Sequence, residues 1–429
     1  MEDVHPSLET LARWLAGELE HEEVLREVAP HLVASCPVCR RLRDEIQRLQ
    51  EESGHWSEVV AVLETREAPA LAAGLEGRTH EERMRLVTQD ESLHTWGLCQ
   101  YFLRSSREVL FQNPSHAVDL AHLAVRLCDH LGEAYHPDSI RDLRVQAYAQ
   151  LGNARRVLGE LKGAEHAFLR AGECLEAGGT GDPRIRAEVF GLKASLRLDQ
   201  RRFDEAEELI EQSLELAREG RDALRVAKAL VNKARVYQFR GELEQAIIVF
   251  RETKEEIDQA GDPRLSAYAR QSLLSFLTQA GRHEEAFEFL PKVQSLFQET
   301  AEPLDQLKLR WAEASIAQGL SRPAEAESLY REVRTAFLAL DKGYDAALVS
   351  LDLAALLAEQ GRTAELKALA AEILAAFSAR GVDREAMASL LLFHQACAEE
   401  SATLEMIRRL AAELRRSRRG AGRADDSLP

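Results

Sequence analysis

The sequence predicts an all-α fold assembled from repeated helical hairpins. Three observations carry this expectation. Ala, Leu, Glu and Arg, all strong helix formers, dominate nearly every window, whereas aromatic residues make up only 6% of the chain. A small residue returns at a fixed interval over most of the length. A turn-forming residue, often glycine, precedes each return.

Length and charge set the outer bounds. At 429 residues the chain exceeds what one compact core sustains, so it is either several domains or one array. Hydrophobic residues are 45% and charged residues 30%, enough to bury a core. The formal net charge of −17 opposes binding to a phosphate backbone, so no direct nucleic-acid contact is expected. No apolar run approaches the roughly 18 residues that span a bilayer, and Met1-Glu2-Asp3 lacks a secretory start. A cytoplasmic protein without membrane contact is the expectation. Cys99, Cys128, Cys174 and Cys397 are scattered singly, as buried free thiols are.

Residues 1–50 stand outside the repeat. They hold Cys36-Pro37-Val38-Cys39, with His31 and His5 upstream. A Cys-x-x-Cys turn lets two thiolates grip one tetrahedral ion, and two imidazoles complete a Cys₂His₂ set. His5, His31, Cys36 and Cys39 are therefore candidate ligands for one structural Zn²⁺. The competing reading makes Cys36 and Cys39 ordinary thiols in a helical hairpin that caps the array.

The stretch from His5 to Leu19, followed by His31 and Cys36-Pro-Val-Cys39, resembles the zinc-binding anti-sigma domain. The spacing here is His-x₄-Cys-x₂-Cys, one residue longer than the family's His-x₃-Cys-x₂-Cys. One residue on a helix turns a side chain by about 100°. The resemblance implies a bacterial sigma factor as partner and a role in transcription regulation.

Residues 51–95 read as a helical connector. Trp56, Val59, Val60, Val62 and Leu63 begin an apolar-periodic segment, which Ala68-Pro69 is expected to interrupt. Gly74 to Gly77 mark a further break.

The array itself is expected over residues 96–416. Its small residues fall at Ala164, Ala206, Ala246, Ala286 and Ala326, with Leu366 in the same phase and Ala117 in a weaker copy. Four successive steps are 40 residues, and a further one lands on Met406. Each alanine sits where two helices of a hairpin approach most closely. Acidic residues open the second helix at the positive end of its dipole.

This pattern resembles the tetratricopeptide repeat family. Gly152, Ala164, Phe168 and Ala171 fit its consensus in one copy, and Ala234, Gly241, Ala246 and Phe250 fit it in another. Ser321 and Leu366 depart from it. The resemblance implies a right-handed superhelical solenoid of about seven to eight hairpins and a groove that binds a protein or peptide. It places Lys228, Asn232, Arg235, Gln238, Gln271, Ser275, Lys308, Trp311 and Ser315 on the groove face. Arg, Lys and Asn supply donors for an extended chain, and Trp supplies an anchor. The family's carboxylate clamp is incomplete, since Asn153, Lys228 and Asn232 match only single positions. Leu348, Leu351, Ala355 and Ala358 make the next face apolar, so it is expected to be covered.

Residues 417–429 read as a polar tail. No phosphate-binding glycine loop, nucleophile elbow or His-Glu-x-x-His motif occurs, so no enzyme is expected. His116, His122, His130 and His136 cluster locally, but Arg126 lies between His122 and His130 on one helix face and disfavours a cation. The expected function is a non-enzymatic adaptor or regulator, with a general assembly scaffold as the alternative.

Overall fold

The computed structural model describes residues 6, 8–15, 21–33, 36–41, 43, 44, 46, 56–132, 135–300, 303–340, 342–378 and 384–411. The expected tail over 417–429 lies outside them. Every regular element among the described residues is helical. The chain divides into two compact units, Met1–Ile185 and Arg186–Pro429.

In the first unit, α1 (Leu8–Leu15), α2 (His21–Glu23), a π-helical turn (Val24–Val28) and α3 (Ala29–Val33) form the N-terminal segment. They are followed by α4 (Trp56–Ala73), α5 (His80–Gln89), α6 (Trp96–Val109), α7 (Pro114–Cys128), α8 (Pro137–Leu158) and α9 (Leu161–Glu176). From α6 to α9 each helix packs on the next in sequence.

Helix α4 corrects one expectation, because it runs through Pro69 without stopping. Proline removes one backbone donor, but the buried face of Ala68 and Ala72 and packing against α6 hold the helix together across it. Helix α5 starts on a reciprocal cap. The Thr79 hydroxyl accepts from the Glu82 amide at 3.3 Å, and Glu82 accepts from the Thr79 amide at 2.8 Å.

Helix α10 (Pro183–Asp199) carries the division between the units. The second unit continues with α11 (Phe203–Glu219), α12 (Ala223–Arg240), α13 (Leu243–Glu252), α14 (Lys254–Gln259), α15 (Pro263–Gln279) and α16 (His283–Thr300). It ends with α17 (Pro303–Gly319), α18 (Pro323–Ala339), α19 (Gly343–Glu359), α20 (Thr363–Ser378), α21 (Arg384–Ala398) and a last helical stretch over 404–411.

The repeat is visible in the backbone. Residues 201, 241, 281, 321 and 361 all take the left-handed conformation, with φ of 61°, 84°, 75°, 57° and 69°. The amide one residue later always reaches back to the carbonyl five residues before it. The bonds are Arg202 to Arg197, Glu242 to Tyr237, Arg282 to Leu277, Arg322 to Ala317 and Arg362 to Leu357, at 2.8–2.9 Å. This closure satisfies carbonyls that a helix end leaves open. Arg201 and Ser321 adopt it although they carry a β-carbon, so the stacking of neighbouring hairpins outweighs a local cost of about 1 kcal/mol.

The aligned alanines at 164, 206, 246, 286 and 326 are fully buried, and Leu366 is nearly so. The last copy slips by one residue, because the turn at Glu400 leads into a longer link. Ile407 fills the buried position, while Met406 is only half-buried. Leu348, Leu351 and Ala355 are buried in one apolar cluster with Leu390, Phe393, Ile407 and Leu410. Arginines after the turns tie successive hairpins together: Arg282 pairs with Glu244 at 3.0 Å, and Arg362 pairs with Glu327 at 2.6 Å.

Candidate metal centre and partner-binding face

Helix α3 carries His31, and Cys36 and Cys39 lie close to it. The Cys36 amide donates to the His31 carbonyl at 3.1 Å, a span of five residues rather than four. That wider closure absorbs the extra residue in His-x₄-Cys, which on a regular helix would aim the imidazole away. The Arg40 amide then donates to the Cys36 carbonyl at 3.0 Å and winds Cys39 onto the same side. One ligand atom each from His31, Cys36 and Cys39 lies within 4.8 Å of the others. Donors about 2.3 Å from a tetrahedral zinc sit about 3.8 Å apart, so a small contraction completes the geometry. Cys39 is buried, and burial, followed by the neighbouring Cys36 thiol, pushes its thiol up. The fourth expected ligand, His5, lies outside the described residues.

The N-terminal segment is not isolated from its unit. Leu11, Val28 and Ile46 are buried in one cluster with Tyr135, against which Trp96, Leu131 and Ile140 pack. Tyr135 continues into a polar junction that sequence reasoning missed. Its hydroxyl accepts from the Trp96 amide at 3.1 Å and donates to Glu64. Glu64 has no repeat position and lies 71 residues from Tyr135, so no spacing marks the pair.

The expected groove residues fall into two groups. On α12, Asn232 is 6% exposed and Arg235 is 9% exposed. Arg235 donates to the Asn232 Oδ1 at 3.2 Å and lies over the Phe239 ring at 5.7 Å. Both side chains are thus largely buried, the guanidinium lying between Asn232 and the Phe239 ring. Trp311 is likewise engaged. Its indole Nε1 donates to Asp352 at 2.7 Å, and its edge meets Phe337. Ser315 bonds Tyr330 at 3.2 Å, and Lys308 pairs with Asp305 at 3.9 Å. Lys228, Gln238, Gln271 and Ser275 are half-buried, with the Ser275 hydroxyl accepting from Gln279 at 2.7 Å.

The histidines at 116, 122, 130 and 136 form no cluster that could hold a metal ion among the described residues. His122 accepts from Arg155 at 2.8 Å, and its pKa falls to about 4 through burial, then the charges of Arg155 and His80. His130 instead stacks on His94 with ring centres 4.8 Å apart. No helix among the described residues is long and apolar enough to cross a membrane.

A tetratricopeptide repeat family model matches residues 185–255, the stretch that holds the first two hairpins of the second unit. The solved structures agree. The chain has a tetratricopeptide-like helical-repeat fold. A Rap protein in complex with Competence and Sporulation Factor superposes with a TM-score of 0.56 at 13% identity, over 75% of this chain and 87% of that one. Aspartyl phosphate phosphatase F from Bacillus subtilis gives 0.53 at 14% identity, over 88% and 96%. A signal-transduction ATPase of Pyrococcus horikoshii with a tetratricopeptide repeat sensor gives 0.50 at 16% identity, over 84% of this chain and 51% of that one. At such identities the likeness is one of fold. No curated protein matches the sequence. In these hairpins the aligned small residues Ala206, Ala246, Ala286 and Ala326 are fully buried.

Proposed function

We propose that this chain is a non-catalytic regulator whose helical repeats bind a protein or peptide in the cytoplasm. The observation that supports it most is the in-phase hairpin array of the second unit. Stacked hairpins of one phase offer an extended surface with polar groups at regular intervals. Gln238 and Gln271, half-buried on successive first helices, are such groups. A protein of the same fold, the Rap protein, was solved with Competence and Sporulation Factor bound, which supports ligand capture by repeats of this kind.

In this reading His31, Cys36 and Cys39 hold one structural Zn²⁺, with His5 as the fourth ligand. The ion would tie α3 to the helical segment that carries Cys39. The N-terminal module would then act on a sigma factor. One observation favours the alternative of a cap in a general scaffold: Leu11, Val28 and Ile46 are buried against Tyr135, so part of the module's apolar surface serves packing.

A photo-crosslinking amino acid placed at Gln271 in the full-length protein tests the binding reading. It should trap one discrete partner in cells, and the same probe at exposed Glu255 should not. Absence of any discrete adduct at Gln271 defeats the reading. If the adduct is not a sigma factor, the scaffold alternative stands.

A further inference from the structure

Arg235 is a buried cation with no carboxylate partner among the described residues. The other arginines of α12 are matched: Arg225 pairs with Glu188 at 2.7 Å, and Arg240 pairs with Glu207 at 2.6 Å. On α10, buried Arg197 has Glu205 at 3.0 Å. Arg235 is nine-tenths buried, yet among the described residues it forms no ion pair with a carboxylate. Its hydrogen-bond chain is neutral throughout. Arg235 donates to Asn232, the Asn232 amide donates to Ser195 at 3.5 Å, and Ser195 donates to the Gly191 carbonyl at 3.2 Å. The Phe239 ring covers one face of the guanidinium and stacks on Phe203 at 5.9 Å. A charge taken from water without a counter-charge is costly, so a fold that keeps one gains from a ligand that supplies it.

We infer that Arg235 is the recognition point for a side-chain carboxylate of a bound peptide, held by the guanidinium fork against the Phe239 ring. This rests on the peptide-binding reading above and names the chemistry the ligand must bring. A guanidinium offers five N–H donors in one plane, and Asn232 uses one, so a planar carboxylate can be met by two parallel bonds. The net charge of −17 repels acidic chains at long range. The site therefore selects by one desolvated pair rather than by steering, and its affinity should depend weakly on salt.

The test pans the full-length protein against a displayed random-peptide library. Recovered peptides should share one Asp or Glu. Replacing that residue by its amide should weaken binding to wild type by about tenfold or more. The same replacement should leave binding to Arg235→Met unchanged. Arg235→Lys, which keeps the charge but not the fork, should fall between. Ligand-free Arg235→Met should melt no lower than wild type. A clearly lower melting temperature would show that Arg235 serves packing and overturn the inference. So would peptides without a shared acidic position, or peptides that bind Arg235→Met equally well. Those outcomes leave peptide binding intact, whereas failure to recover any peptide removes both readings. If inorganic phosphate alone stabilises wild type but not Arg235→Met, and displaces the peptides, the ligand is a free anion and the peptide assignment fails.

Discussion

Tyr135 donates its hydroxyl proton to Glu64 Oε1 at 2.5 Å, while Glu64 Oε2 accepts from the Gly97 amide at 3.0 Å. A single carboxylate, 5% exposed, thus joins α4, the start of α6 and the turn before α8. Its negative charge meets the open amides at a helix N-terminus, where it is most favourable. Glu64→Ala should lower stability by about 3 kcal/mol, because it leaves a buried amide and a buried hydroxyl without their acceptor. Tyr135→Phe should cost about 1–2 kcal/mol. Gly97→Ala should also destabilise, since its β-carbon would stand 2.2 Å from the Glu64 carbonyl carbon and force the helices apart. Urea unfolding of the three variants checks these values. A double variant at 64 and 135 should cost less than the sum, as the two share one bond.

The left-handed turns give a second, opposite prediction. Ser321→Gly should raise stability by about 1 kcal/mol, since glycine enters that conformation without a β-carbon clash. Gly361→Ala, at the equivalent turn, should lower it by a similar amount. Thermal melts of the two single variants decide this, and a destabilised Ser321→Gly would count against the turn analysis.

Purified protein should contain one zinc per chain by elemental analysis, and Cys36→Ser should lose it. Acidification should release the ion, because thiolate and imidazole ligands must be deprotonated to bind. Zinc that persists unchanged in both Cys36→Ser and Cys39→Ser would place the ion elsewhere.

Stability should rise with pH through the weakly acidic range. The His122 pKa is depressed to about 4 in the folded protein, and burial, then His94 and Arg126, also lower that of His130. Below its ordinary value of about 6.5 the unfolded imidazole takes up a proton that the folded one refuses. The contribution is complete above that value and drains away as pH falls toward about 4. Chemical unfolding at a series of pH values should show this slope, and His122→Gln should flatten it.

The repeat was legible because its signal is local and periodic. Ala206, Ala246, Ala286 and Ala326 need smallness at one fixed step, and the buried positions of the structure are those alanines. The Cys36–Cys39 turn was legible for the same reason. The five-residue closure onto His31 was not, because a backbone bond leaves no mark in residue type. The family resemblance placed Asn232 and Arg235 on a groove face, but how deeply neighbouring side chains bury them there leaves no mark in the sequence. Trp311 looked like an anchor for a partner, and Asp352, on another helix, had already claimed its indole. Glu64 and Tyr135 stayed hidden because polar pairs joined across long separations have no period to betray them.

The backbone returns to one conformation at 241, 281, 321 and 361, with matching bonds on either side. Any stretch cut between two such points can therefore be removed or copied, and the new junction rejoins like to like. Forty residues are thus the length by which this chain can be shortened or extended with its turns kept in phase. Duplication would lengthen the stack of hairpins in whole steps, without disturbing the alignment of anything downstream.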